Sequence, residues 1–203
     1  PENATNMVAV AAGDYHTMAL TADGQVLAWG FNINGQTDVP EGLVRAVGIS
    51  AGSYHSVALR VDGTVEAWGL NSDGRANVPA GLSNVVQISA GDTHTLALRN
   101  DGTVVAWGSN VYGESHPPGG LANVVAVAAG IYHSVALRND GRVVAWGRNE
   151  FGQTNVPTGL SNVVAIAAGL QHTAALRDDG TVVAWGSVAN GQVEVPAGLD
   201  TAF

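Results

Sequence analysis

GDYHTMALTADGQVLAWG occupies residues 13–30, and GSYHSVALRVDGTVEAWG occupies residues 52–69. Three further near-copies follow at the same spacing. Trp29, Trp68, Trp107, Trp146 and Trp185 lie 39 residues apart, and His16, His55, His94, His133 and His172 keep that step. The Asp-Gly pairs beginning at Asp23, Asp62, Asp101, Asp140 and Asp179 keep it too. Five units fill 195 of the 203 residues without insertion or deletion. A constant period of this size signals a solenoid, a propeller or an array. The units are read as 4–42, 43–81, 82–120, 121–159 and 160–198, one domain over 4–198 with a tail at 199–203.

The fourth unit shows the local pattern. NVVAVAAG (123–130) is a short apolar run with β-branched residues at its start, and so a strand. HSVALR (133–138) is a second strand, and VVAWG (143–147) a third. Asn139-Asp140-Gly141 between them is a hairpin signal, because the tight turn needs positive φ. RNEFGQTNVPTGL (148–160) is turn-rich, and Val156-Pro157 is read as a short fourth strand confined to an edge.

Asp-Gly hairpins make antiparallel pairs, which disfavours a parallel solenoid. A sandwich has no need of a constant step. The expectation is an all-β chain: a β-propeller of five 39-residue blades, each a three- to four-stranded antiparallel sheet. Blades stacked around an axis touch neighbours on both faces, so their strands are apolar at successive positions. The first strands are rich in alanine, glycine and serine, as crowding near an axis demands. Each tryptophan lies further out, where the wedge between blades is wider. One blade cannot bury its own faces, and each copy walls the next.

Composition excludes several functions. The net charge is −9, and all eight basic residues are arginines. Such a chain is a poor binder of nucleic acid or of anionic lipid. There is no cysteine, and no apolar run is long enough to span a membrane as a helix. Each repeated histidine stands alone, without ligand spacing in its unit, so no metal and no cofactor are expected. The expectation for these five is imidazoles bonded to backbone groups of an adjacent loop. His116, in SHPPGG, breaks the repeat and is read as a surface loop residue. The Asp-Gly carboxylates are explained by turn chemistry. Glu66, where other copies carry Leu or Val, implies an exposed outer strand or a partner that the sequence does not name. No catalytic motif occurs, and the chain is read as non-enzymatic.

Chain direction places the Gly-x-x-His loops and the loops after Trp-Gly on one face, here called the top. The copies differ most there, and every tyrosine and every phenylalanine except Phe203 lies in these loops. Aromatic anchors on loops of a rigid scaffold point to a binding surface. The candidate partner-binding residues are Tyr15, Phe31, Tyr54, Leu70, Tyr112, Tyr132, Arg148 and Phe151.

The units, written AAGxYHSVALRxDGxVVAWGxNxxGQ, resemble the regulator of chromosome condensation repeat family. The 39-residue blade and the GQTxVPxGL ending look more like the short-bladed bacterial type, similar to beta-lactamase inhibitory protein two. The resemblance implies a protein-binding propeller rather than an enzyme, and a bacterial extracellular or cell-surface setting. Nucleotide exchange on a small GTPase does not carry over, because the units have no wedge insertion and the charge is acidic. The alternatives are a designed or recently amplified scaffold without an evolved partner, and a carbohydrate-binding propeller. A ring closed by five blades implies a monomer; an open one leaves apolar blade faces exposed and implies a homo-oligomer.

Overall fold

The computed structural model describes residues 5–196; the expected tail at 199–203 and the outermost residues of the 4–198 span lie outside these. Blade 1 comprises β1 (Met7–Ala12), β2 (His16–Thr21) and β3 (Val26–Gly30). Blade 2 comprises β4 (Ala46–Ala51), β5 (His55–Arg60) and β6 (Val65–Gly69). Blade 3 comprises β7 (Val85–Ala90), β8 (His94–Arg99) and β9 (Val104–Gly108). Blade 4 comprises β10 (Val124–Ala129), β11 (His133–Arg138) and β12 (Val143–Gly147). Blade 5 comprises β13 (Val163–Ala168), β14 (His172–Arg177) and β15 (Val182–Gly186). Each blade is a three-stranded antiparallel meander in chain order.

No fourth strand forms at the Val-Pro segments among the described residues. Proline has no N–H to give a ladder. The neighbouring donors are used locally instead: Val156 N–H bonds to Thr154 O, and Leu160 N–H to Pro157 O. The hairpins also differ from a simple two-residue turn. In each Asp-Gly pair only the glycine has positive φ, 79° at Gly102. Gly102 N–H bonds to Arg99 O, and Arg99 N–H to Thr103 O, a turn followed by a left-handed glycine. Thr103 Oγ1 donates to Asp101 Oδ1 at 2.6 Å, and that bond is the main cause holding the Asp101 carboxyl below its usual range.

The middle strands of blades 2 to 4 are buried at five successive positions, as a sheet covered on both faces requires. The core lies between blades rather than within them. Val57 and Leu59 of blade 2 pack with Leu82, Val85, Ile88, Ala97 and Trp107 of blade 3. A polar clasp repeats beside each such cluster. His55 Nε2 lies 3.0 Å from Thr95 Oγ1, and Thr95 Oγ1 donates to Arg75 O. The hydroxyl has one proton and gives it to the carbonyl, so it accepts from His55 Nε2–H. The same carbonyl accepts Trp107 Nε1–H at 2.9 Å. Blade 2 thus holds the hydroxyl and the indole of blade 3 with one histidine and one carbonyl.

Three further clasps join His16 to Ser56, His94 to Ser134 and His133 to Thr173, the last without the indole bond, since the Trp185 N–H finds no partner among the described residues. Four of the five histidines therefore bond to hydroxyls of the next blade, not to the backbone of a loop. Strand packing brings residues 40 apart into contact, which leaves the loops free of that task. Burial then lowers the pKa of His55 and His94 to about 3 and of His133 to about 4. The glycine opening each Gly-x-x-His loop is held tightly: a Cβ on Gly91 would sit 2.3 Å from Gly130 O and 2.8 Å from the His94 ring.

The fifth clasp would join blade 5 to blade 1 through His172, Gln192 and Thr17. No such bond is made among the described residues. Gly180 has no neighbour within 4 Å, whereas Gly102 meets the backbone of Asn123 and Val124 in the following blade. Trp29 is 38% exposed against 6–8% for the other four tryptophans, and Leu176 is 38% exposed against 2–5% at the equivalent Leu20, Leu59, Leu98 and Leu137. The described residues thus form five blades of a propeller whose first and last faces are uncovered.

Candidate protein-binding face

The two kinds of top loop are stitched together by one backbone bond in each blade. Phe31 N–H bonds to Tyr15 O, Leu70 N–H to Tyr54 O, and Arg148 N–H to Tyr132 O. The two loops of a blade therefore lie side by side, on the face expected from chain direction. The loop after Trp-Gly is braced again from within. Gln153 Oε1 accepts Phe151 N–H, and the Glu114 carboxylate accepts Tyr112 N–H and Ser109 Oγ–H. Glu114, Gln36 and Gln153 are fully buried for this purpose. Arg75 holds the same place in blade 2. It grips both oxygens of Asp73 and donates to Asp92 O at 2.7 Å.

These bracing residues were not singled out from the sequence. Their signal is the Gly-Gln pair that recurs in three of the five units. What they contribute to the next blade is a main-chain carbonyl, which leaves no side-chain signature.

On this braced frame the candidate aromatics gather into two groups. Tyr15 and Tyr54 stack with ring centroids 5.1 Å apart, and Phe31 packs against both at 5.9 and 6.4 Å. Tyr15 and Phe31 are exposed. Tyr112 and Tyr132 form the second group at 5.4 Å. The Arg148 guanidinium lies over Tyr112, Tyr132 and Phe151 at 5.2, 5.6 and 5.6 Å, and pairs with Glu150. Seven of the eight candidate residues are in these two groups. Leu70 is half-buried and belongs to neither.

At the convergence of the inner strands lies an open cavity of about 150 Å³. Asp14, Ser53 and Asp92 line it from blades 1 to 3, and Ile131 and Leu170 from blades 4 and 5. One half is acidic and the other apolar. The Tyr54 hydroxyl is held above its ordinary pKa, first by hydrogen bonding with Tyr15, then by burial and by the Asp14 and Asp92 charges. No cluster of three or more potential metal-ligating side chains occurs among the described residues. His116 is exposed. Glu66 finds its partner on the adjacent strand, in Arg60 at 3.0 Å. Arg138–Asp140 and Arg177–Asp179 pair on the opposite, Asp-Gly face.

A family model, described as the regulator of chromosome condensation (RCC1) repeat, matches residues 7–36, 46–75, 85–114, 124–153 and 163–192. The structure is similar to Prp20p from Saccharomyces cerevisiae, a protein characterised for binding Gsp1p and histones. The TM-score is 0.80 at 25% identity, over 97% of this chain and 61% of that one. Prp20 bound to Kap60 gives 0.79 at 27% identity, over 97% of this chain and 59% of that one. The ectodomain of the Physcomitrella patens receptor kinase CR4 gives 0.79 at 27% identity, over 94% of this chain and 54% of that one. The chain thus spans less than two thirds of each of these relatives. No curated protein sequence matches it.

Proposed function

This chain belongs to the regulator of chromosome condensation (RCC1) repeat family, and on that premise we propose that it is a non-catalytic scaffold that binds a protein through its top loop face. One observation carries the reading. Seven residues picked for their type and loop position are packed into two aromatic groups on one face, over loops tied to the blades by backbone bonds. Interfaces concentrate their energy in such anchors, and rigid presentation lowers the entropy cost of association. Prp20 supports the reading as a family relative with protein partners.

Three alanine variants test it, at Tyr15, Tyr54 and Tyr132. Crosslinking and capture from the source organism should recover a partner with the unaltered chain. The variants should lose it while keeping the same melting temperature within a few degrees. Capture that is unchanged in all three variants overturns the reading. A chain that captures nothing at all favours the purely structural alternative.

A further inference from the structure

The two aromatic groups are not alike. The second is filled: three rings surround the Arg148 guanidinium, and a carboxylate, Glu150, pairs with it at the rim. The first has the same ingredients without the cation. Tyr15 and Tyr54 hold the repeat position that Tyr132 holds in blade 4. Phe31 holds the position of Arg148, so the internal arginine is replaced by a third ring. Among the described residues no cationic group lies over Tyr15, Phe31 or Tyr54.

The charge beside this first group is negative. Asp14 precedes Tyr15 in the chain, and Asp92 lines the same cavity. Arg75 offsets part of this, yet it is already shared: it grips Asp73 with two nitrogens and stands 4.0 Å from the Asp92 carboxylate. One guanidinium against Asp14, Asp73 and Asp92 leaves the site acidic, within a chain of net charge −9.

Resting on the protein-binding reading, we propose that the Tyr15–Phe31–Tyr54 group with Asp14 and Asp92 is a docking site for an arginine side chain presented by the partner. An aromatic face attracts a cation through its quadrupole. A guanidinium adds planar stacking and a fork of donors that a carboxylate can accept, which an ammonium lacks. The filled group in blades 3 and 4 shows these loops building that environment around this chemical group. The acidic surface steers a basic segment toward it.

The probe is a short capped peptide, Gly-Arg-Gly, titrated into the full chain and followed by the ring signals of Tyr15 and Tyr54. Peptides with citrulline or leucine in place of arginine are the comparisons. Citrulline keeps the shape and hydrogen bonding and loses the charge. The expected result is saturable movement of the Tyr15 and Tyr54 signals, with arginine bound about tenfold more tightly than citrulline. Asp14→Asn should weaken arginine binding without moving the melting temperature, Asp92→Asn should weaken it too, and raised salt should do the same. Equal binding of arginine and citrulline, tighter binding of the leucine peptide, or no movement of these signals overturns the arginine site. Loss of partner capture in the tyrosine variants alongside a silent arginine titration would retain the binding face and reject this anchor. The two ideas therefore fail separately.

Discussion

Trp107 and Trp29 sit at the same place in the repeat, yet one is 6% exposed and the other 38%. The difference lies outside the blade that carries each residue. Trp107 is walled by Val57 and Leu59 of blade 2, and its indole N–H reaches the Arg75 carbonyl there. Trp29 belongs to the first blade, and no described blade stands before it. Middle strands tell the same story: β8 is buried at five positions in a row, whereas β14 alternates and exposes Leu176. A repeat unit encodes its sheet and turns. Its burial is encoded by the neighbour.

The contrast can be broken most forcefully at the tryptophans. Trp107→Ala removes a side chain buried between blades and should cost about 3–5 kcal/mol in denaturant unfolding. Trp29→Ala should cost less than half of that. Equal losses would mean that the first face is covered in solution. Next comes the clasp. Thr95→Val leaves His55 and the Arg75 carbonyl without a hydroxyl, and should cost about 1–3 kcal/mol. Thr17→Val removes a hydroxyl that bonds to no other blade among the described residues, and should be nearly neutral.

The third contrast is the pH dependence. An unfolded histidine titrates near 6.5, whereas His55 and His94 titrate at about 3 and His133 at about 4 in the folded chain. Between those limits the unfolded chain binds protons that the folded chain does not. The stabilisation is complete above about pH 6.5 and is lost as pH falls toward about 4 for His133 and about 3 for His55 and His94, by up to about 1.4 kcal/mol per pH unit for each. The melting temperature should therefore drop between pH 7 and pH 5. A flat profile would show that the rings are not buried as neutral imidazoles.

Much of this architecture was legible in the residues. The 39-residue step, the three strands and the shared face of the two loop types follow from repetition, hairpin chemistry and chain direction. The repeated histidines were read as structural, and four of them bond across blades, but to partners the sequence did not suggest. Ser56 and Thr95 follow the next histidine in sequence, and only lateral stacking shows that they bond to the histidine one blade earlier. The carbonyls of Gln36, Arg75 and Glu114 were invisible because any residue supplies one. The eight candidate site residues were chosen by type and loop. The division of seven of them into one aromatic group around Arg148 and one without a cation depends on distances across blades, as between Tyr15 and Tyr54, which no single unit encodes. The expected fourth strand failed because proline and local turns consume its donors.

Indole N–H exchange with solvent, resolved by NMR for each tryptophan in dilute solution, addresses the dependence of each blade on its neighbour most directly. Slow exchange at Trp68, Trp107 and Trp146, whose N–H groups donate to carbonyls of the preceding blade, with rapid exchange at Trp29, is the expected result. Protection of Trp29 equal to that of the other three would contradict the open first face and require that another blade cover it.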